Sequence, residues 1–146
     1  MLLNMKKFSK SQRSTWRYFW AHWCSFQMVA ITLGIWKFKY LFHDWYKPWM
    51  KMLGFSYEDI QKFHREHSDH HLEYLDNHDL KGFDWDAMII DNECSQYTKE
   101  SCTRNAYEEM LYIIENNNKP HIKHVVEMYM KPRLFELGLY ETKKSV

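Results

Sequence analysis

SYEDIQKFHREHSDHHLEYL, residues 56–75, carries the clearest helical period in the chain. At 100° per residue, Ile60, Phe63, His64, His67, His70, His71, Tyr74 and Leu75 share one arc. Glu58, Lys62, Arg65, Glu66, Asp69 and Glu73 share the opposite one. Ser56 followed three residues later by Asp59 has the form of an N-terminal cap, with Asp in place of the usual Glu. The pattern predicts a helix over 57–75 with all four histidines on its apolar, inward face.

Upstream, 15–33 is apolar nearly all round, which predicts a central helix enclosed by others, with Gly34 as its C-terminal cap. A second helix is predicted over 35–46, ended by Pro48, because the residue before a proline avoids helical geometry. Gly54 and Phe55 then break the chain. Downstream, 76–84 reads as loop, Asp84 caps a helix reaching 99, and a further helix covers 103–115. Pro120 suits the first position of a helix continuing to Lys131, where Pro132 ends or kinks it, and a short last helix stops at Gly138. No segment alternates with period two for the length of a strand. The class expected is all-α: a single compact bundle of about six helices over residues 1–146, with a basic arm at 1–14 and a polar tail at 139–146.

The 146 residues fit one domain, and 20 Lys+Arg against 19 Asp+Glu remove the basic excess of a dedicated nucleic-acid binder. Lys6, Lys7, Lys10 and Arg13 near one end, and Lys131, Arg133, Lys143 and Lys144 near the other, read as solvated charges without a base-reading motif. Nucleic acid is therefore not the partner expected. Four Gly and three Pro are too few for a turn-rich all-β fold. Cys24, Cys94 and Cys102 are an odd number without a CxxC pair, which points to a reducing cytoplasm. Residues 19–36 lack Lys, Arg, Asp and Glu, but His22, Ser25, Gln27 and Thr32 interrupt them, so a buried helix is expected and no membrane span. Trp16, Trp20, Trp23, Trp36, Trp45 and Trp49 are expected to fill the core of this small bundle. Exposed ones would instead suggest a partner or homodimer contact.

Nine histidines are the outlier, four of them between residues 64 and 71. Buried imidazoles each need a partner, since an unpaired buried polar group costs on the order of 1–3 kcal/mol. A shared metal ion or a bound anion would compensate several at once. Asp91 falls among Ala87, Met88, Ile90, Cys94 and Tyr97 on its helix, so its carboxylate must be paired, protonated or metal-bound. Glu93 points the other way and reads as solvated. His22 lies beside Phe19, Phe26, Val29 and Leu33. His43 and Asp44 are adjacent on one predicted helix and can reach one ion lying between their directions. Mixed imidazole and carboxylate ligation suits manganese, iron, zinc, nickel or cobalt.

In chain order these residues read His22, the doublet His43-Asp44, then Asp91. This resembles the HD-domain superfamily of metal-dependent phosphohydrolases, whose pattern is H…HD…D. The resemblance implies that His22, His43, Asp44 and Asp91 bind one divalent ion inside a helical bundle. Subgroups of that superfamily with two or more ions carry further histidines between doublet and final Asp, where this chain has His64, His67, His70 and His71. HDWYK, residues 43–47, looks like the HDxxK form of the motif, in which the lysine, here Lys47, approaches a substrate phosphate. The chain is more similar still to small, uncharacterised HD-like proteins of viral and bacterial genomes. These carry HDxSK, an HHxEYW-like segment (here His70-His71-Leu72-Glu73-Tyr74) and a carboxylate on the next helix.

The function expected from the resemblance is hydrolysis of a small phosphorylated substrate, a nucleotide or another phosphate ester, by a metal-activated water. One or two divalent transition-metal ions would serve it. His22, His43, Asp44, Asp91, His64, His70 and His71 would be ligands, and Lys47, His70 and His71 would act on the phosphate. Two alternatives keep the fold: a di-iron, oxygen-activating centre on the same residues, and a non-catalytic helical binding protein.

Overall fold

The structure, a computed structural model, describes residues 7–141. It is all-helical. In order come α1 (Trp16–Thr32), a 3-10 turn (Phe38–Phe42), α2 (Tyr46–Met52), α3 (Tyr57–His67), a second 3-10 turn (Leu72–Asp76), α4 (Trp85–Thr98), α5 (Ala106–Asn116), α6 (Pro120–Val125) and α7 (Lys131–Glu136). Among the described residues there is no strand, only an isolated bridge between Phe8 and Lys99. No helix is long and apolar enough to cross a membrane among the described residues. Lys6, Lys143 and Lys144 lie outside them, as does most of the polar tail.

Local chemistry accounts for most helix ends. The Thr15 hydroxyl accepts the Tyr18 N–H at the start of α1, Ser56 accepts that of Asp59 at the start of α3, and Asp84 accepts that of Ala87 at the start of α4. Gly34 and Gly138, both with positive φ, follow helix ends where only glycine is unstrained. The fifth helix begins at Ala106, three residues later than its apolar period suggests. Asn105 and Glu108 form a reciprocal capping box there. Glu93 is not a free surface acid: its Oε1 accepts the Ala106 N–H at 2.7 Å, on the same orphaned helix start. Pro132 kinks its helix and does not end it. Pro132 has no N–H to donate and its ring crowds the preceding turn, so α6 widens into a π turn over Val126–Met130 and runs on as α7.

Two of the expected helices are corrected. The segment expected as one helix over 35–46 is a 3-10 turn followed by α2, and Pro48 sits in the first turn of α2, where its missing N–H costs nothing. The helix expected over 57–75 stops at His67. Ser68 takes an extended conformation, and its hydroxyl lies 2.9 Å from His64 Nδ1, a local bond that competes with the helix.

The central helix is α4, not α1. Ala87, Met88, Ile89, Ile90, Cys94 and even Gln96 are buried. One side of α4 packs on Phe26, Val29 and Ala30 of α1, with Tyr40. The other packs on Met110, Ile113, Ile122, Val126, Met130 and Leu134 from α5 to α7. The outer face of α1 is apolar yet exposed, with Trp16, Trp20 and Ile31 open to solvent. Trp16, Trp20, Trp36, Trp45 and Trp49 are 39–56% exposed, so the tryptophans do not fill the core. Among them Trp20 meets Trp45 edge-on with ring centres 6.0 Å apart. Phe8 is buried against Tyr18, and its N–H donates to the Thr98 carbonyl at the end of α4.

Candidate functional site

His22 on α1, His43 and Asp44 before α2, His64 on α3, His70 and His71 after it, and Asp91 on α4 meet in one cluster, buried except at the partly exposed His71. Three overlapping trios bring their ligand atoms within 4.8 Å of one another: His64, His70 and His71; His22, His43 and Asp91; and His43, Asp44 and His70. Asp44 is the common neighbour. Its Oδ2 is 3.7 Å from His22 Nε2 and 3.6 Å from His43 Nε2, and its Oδ1 is 3.5 Å from His64 Nδ1. Asp91 lies 3.1 Å from His22 Nε2 and 3.9 Å from His71 Nε2. Lys47 Nζ donates to Asp44 Oδ2 at 2.6 Å.

The backbone explains how two adjacent residues both turn inward. Asp44 has φ +62°, the left-handed region that Asp and Asn enter more readily than other side chains. A helix through His43 and Asp44 would separate their directions by about 100°. The reversal between the 3-10 turn and α2 removes that separation. Strained backbone of this kind gathers at functional sites.

The helical wheel reaches the right residues of the His-rich segment for a partly wrong reason. His64 is on α3, but His70 and His71 reach the cluster from the turn beyond it. His67, expected inward, is exposed and stacks on the exposed Phe63, its Nδ1 contacting the Phe63 carbonyl at 2.9 Å. Only Ile60 and His64 of α3 are buried, so its inward stripe is narrower than the apolar arc.

Several supporting residues escape a reading by motif. The ring of Phe26 stacks on His43 with centres 3.7 Å apart, and Tyr18 stacks on His22 at 5.7 Å. The Tyr46 hydroxyl contacts His64 Nδ1 and sits 3.2 Å from Ser68 Oγ. Asp69 Oδ1 lies 3.4 Å from His70 Nδ1. A carboxylate or hydroxyl on the far nitrogen of a histidine fixes its tautomer and aims the other nitrogen. The signal in the sequence is adjacency: Asp69 precedes His70, and Tyr46 follows the doublet within the same turn.

Burial depresses His43 to about 3, against the partial support of Asp44. It also holds His64 and His71 well below the ordinary histidine value, helped by Lys47 for the first and His70 for the second. These rings are neutral near pH 7, the form that offers a lone pair to a cation. Burial opposes ionisation of Asp44, yet His43, Lys47, His64 and His22 outweigh it and hold the carboxyl well below its usual range. For Asp91, burial is likewise outweighed, by the His22 contact and by Lys99 and His71.

The donor set fits a divalent transition metal. Buried His43 Nε2, Asp44 Oδ1 and His70 Nε2 have no hydrogen-bond partner among the described residues. Such groups are costly unless something else satisfies them. Five imidazoles with two carboxylates favour manganese, iron, cobalt, nickel or zinc over magnesium or calcium.

No family model, curated protein or solved structure matches the chain.

Proposed function

We propose that the chain is a metal-dependent phosphohydrolase of HD type that acts on a nucleotide or another small phosphate ester. The observation carrying the reading is the convergence on Asp44 of His22, His43, His64 and Lys47 from separate elements, with Asp91 and two more histidines close by. His22, His43, Asp44 and Asp91 would hold a primary ion, and Asp44 with His64, His70 and His71 a second. An ion bound there supplies hydroxide near neutral pH by lowering the pKa of its water.

The chain's own groups do the rest. Lys47, with its side chain 21% exposed, is the cation positioned to meet a phosphoryl oxygen. With a single ion bound, His70 and His71 would instead donate hydrogen bonds to that phosphoryl group and stabilise its developing charge. Water oxygen bonds to phosphorus, the ester P–O bond breaks, and the alcohol leaves with a proton, so that ester and water give alcohol and inorganic phosphate. Three free cysteines suit a cytoplasmic setting. The exposed tryptophans favour a second reading, a binding protein or homodimer that uses them. An oxygen-activating di-iron centre would use the same ligands.

The test is elemental analysis of untagged protein, with inorganic phosphate release measured after loading with manganese, iron, cobalt, nickel or zinc. Expected are one or two ions per chain and turnover that Asp44→Asn abolishes. Stoichiometric metal with no phosphate released from any nucleotide or phosphomonoester would sink the hydrolytic reading. Iron with oxygen consumption would replace it.

A further inference from the structure

A cavity of about 150 Å³ opens against His22 and Asp44, between the start of α1, α2 and the start of α3. Its walls are mostly apolar: Phe19, Pro48 and Ile60 are buried, and Trp16 and Phe55 stand half-exposed. Engineered apolar cavities of similar size take up benzene. Its charged side chains are nearly all cationic. Lys47 reaches Asp44 at the inner end, and Arg13 and Lys51 line the remainder. Among the described residues neither Arg13 nor Lys51 pairs with a carboxylate. Arg13 Nη2 donates to Ser101 Oγ at 2.6 Å, and Lys51 Nζ donates to the Ser14 carbonyl. The Arg13 Nε is buried without a hydrogen-bond partner.

A second approach to the cluster differs in kind. A cleft of about 520 Å³ reaches His70, His71 and Asp91, but its walls are polar. Of its four cations, Arg104 is neutralised by Glu109 and Lys119 by Asp76, each at 2.6 Å, while Arg65 and Lys99 also line it. That cleft has room for a nucleoside. The smaller cavity combines unneutralised positive charge with an apolar lining, as an anionic head on an apolar body requires.

We propose that the small cavity selects the substrate: a phosphate monoester of an apolar alcohol about the size of one aromatic ring. The phosphoryl group lies at the Lys47 end against the histidine–aspartate cluster, and the apolar group lies on Phe19, Ile60, Trp16 and Phe55. The inference rests on the phosphohydrolase reading for its chemistry and on the cavity for its specificity.

Binding separates the two. Phenylphosphonate and methylphosphonate share one non-hydrolysable head and differ only in the ring. Titration calorimetry of the full chain, in manganese-containing and in metal-free buffer, is expected to show the phenyl compound binding about tenfold tighter or better in both, as burial of one ring implies. Phe55→Ser, at a half-exposed wall position, removes the preference, and Lys51→Ala weakens both ligands alike. Equal affinities in the wild-type chain, or a preference that survives Phe55→Ser, overturn the assignment. So does turnover of AMP with neither binding of phenylphosphonate nor turnover of phenyl phosphate, although hydrolysis then stands. A phenyl preference with no phosphate released from phenyl phosphate supports the cavity assignment and fails the hydrolytic reading instead.

Discussion

The Nε2 atoms of His64 and His71 lie 2.7 Å apart, so without a cation one ring donates a single proton and the other accepts it. Both rings are held neutral by burial, and His70 lies within the same trio. The contact spends on a hydrogen bond two nitrogens that are equally placed to face a shared ion.

Exchange of that proton for a cation links metal binding to stability. Manganese, iron, cobalt, nickel or zinc at hundredfold excess over its Kd is expected to stabilise the chain by about 2.7 kcal/mol per site. In a chain of this size that is a rise in Tm of about 5–10 °C. Chelation reverses it, and His64→Ala lowers the number of ions bound while leaving His22, His43 and Asp91 to hold the rest. A Tm indifferent to all five metals would contradict the site.

Asp44 does two jobs that one substitution can separate. Its carboxylate joins the cluster, and its backbone holds φ +62°. Asp44→Asn keeps a side chain tolerant of that conformation and removes the charge. It should retain the helical circular dichroism and lose at least about a hundredfold in turnover, the scale of losing one group that stabilises charge. Asp44→Ala adds left-handed strain of about 1–2 kcal/mol and is expected to be the less stable of the two in urea. Equal urea midpoints would mean that the backbone relaxes there.

How much of this was legible in the sequence divides along physical lines. Helical class, the caps at Ser56 and Asp84, and the inward direction of His22, His64 and Asp91 follow from local period and hydrogen-bonding chemistry. The reversal at Asp44 does not, because a left-handed Asp has no signature in a hydrophobic pattern. His70 and His71 were reachable only because a wheel drawn through a helix that has already ended happens to aim them inward. His67 shows the same wheel failing by one position. The choice of central helix depended on tertiary packing: α1 and α4 are both apolar, and only their neighbours decide which is enclosed.

The exposed tryptophans make a separable prediction. Trp49 is 56% exposed and Phe26 fully buried. In a monomer, Trp49→Ser should change stability by no more than about 0.5 kcal/mol. Phe26→Ala should cost about 3–5 kcal/mol and disturb the ring stacked on His43. Denaturant unfolding beside sedimentation analysis checks both. A Trp49→Ser loss above about 1 kcal/mol that grows with protein concentration would show that the face is buried in a homodimer.

Acid should unfold the metal-free chain early. Burial depresses His43 from 6.5 to about 3, and His64 and His71 shift the same way. Between pH 6.5 and about 3 the unfolded chain binds a proton at His43 that the folded chain refuses, so stability falls as pH falls through that window. Each such imidazole contributes up to about 1.4 kcal/mol per pH unit. Asp44 and Asp91, held well below 3.8, add a further loss of the same sign below that value. None of these five groups weakens the fold between pH 7 and 9. Urea midpoints measured with chelator from pH 8 to pH 4.5 should therefore be flat at first and then fall steeply below about 6.5. Saturating metal should carry the flat region to lower pH, because an ion on the same nitrogens competes with the proton. A profile without that break, or one unmoved by metal, would mean that the imidazoles are not buried together as neutral groups.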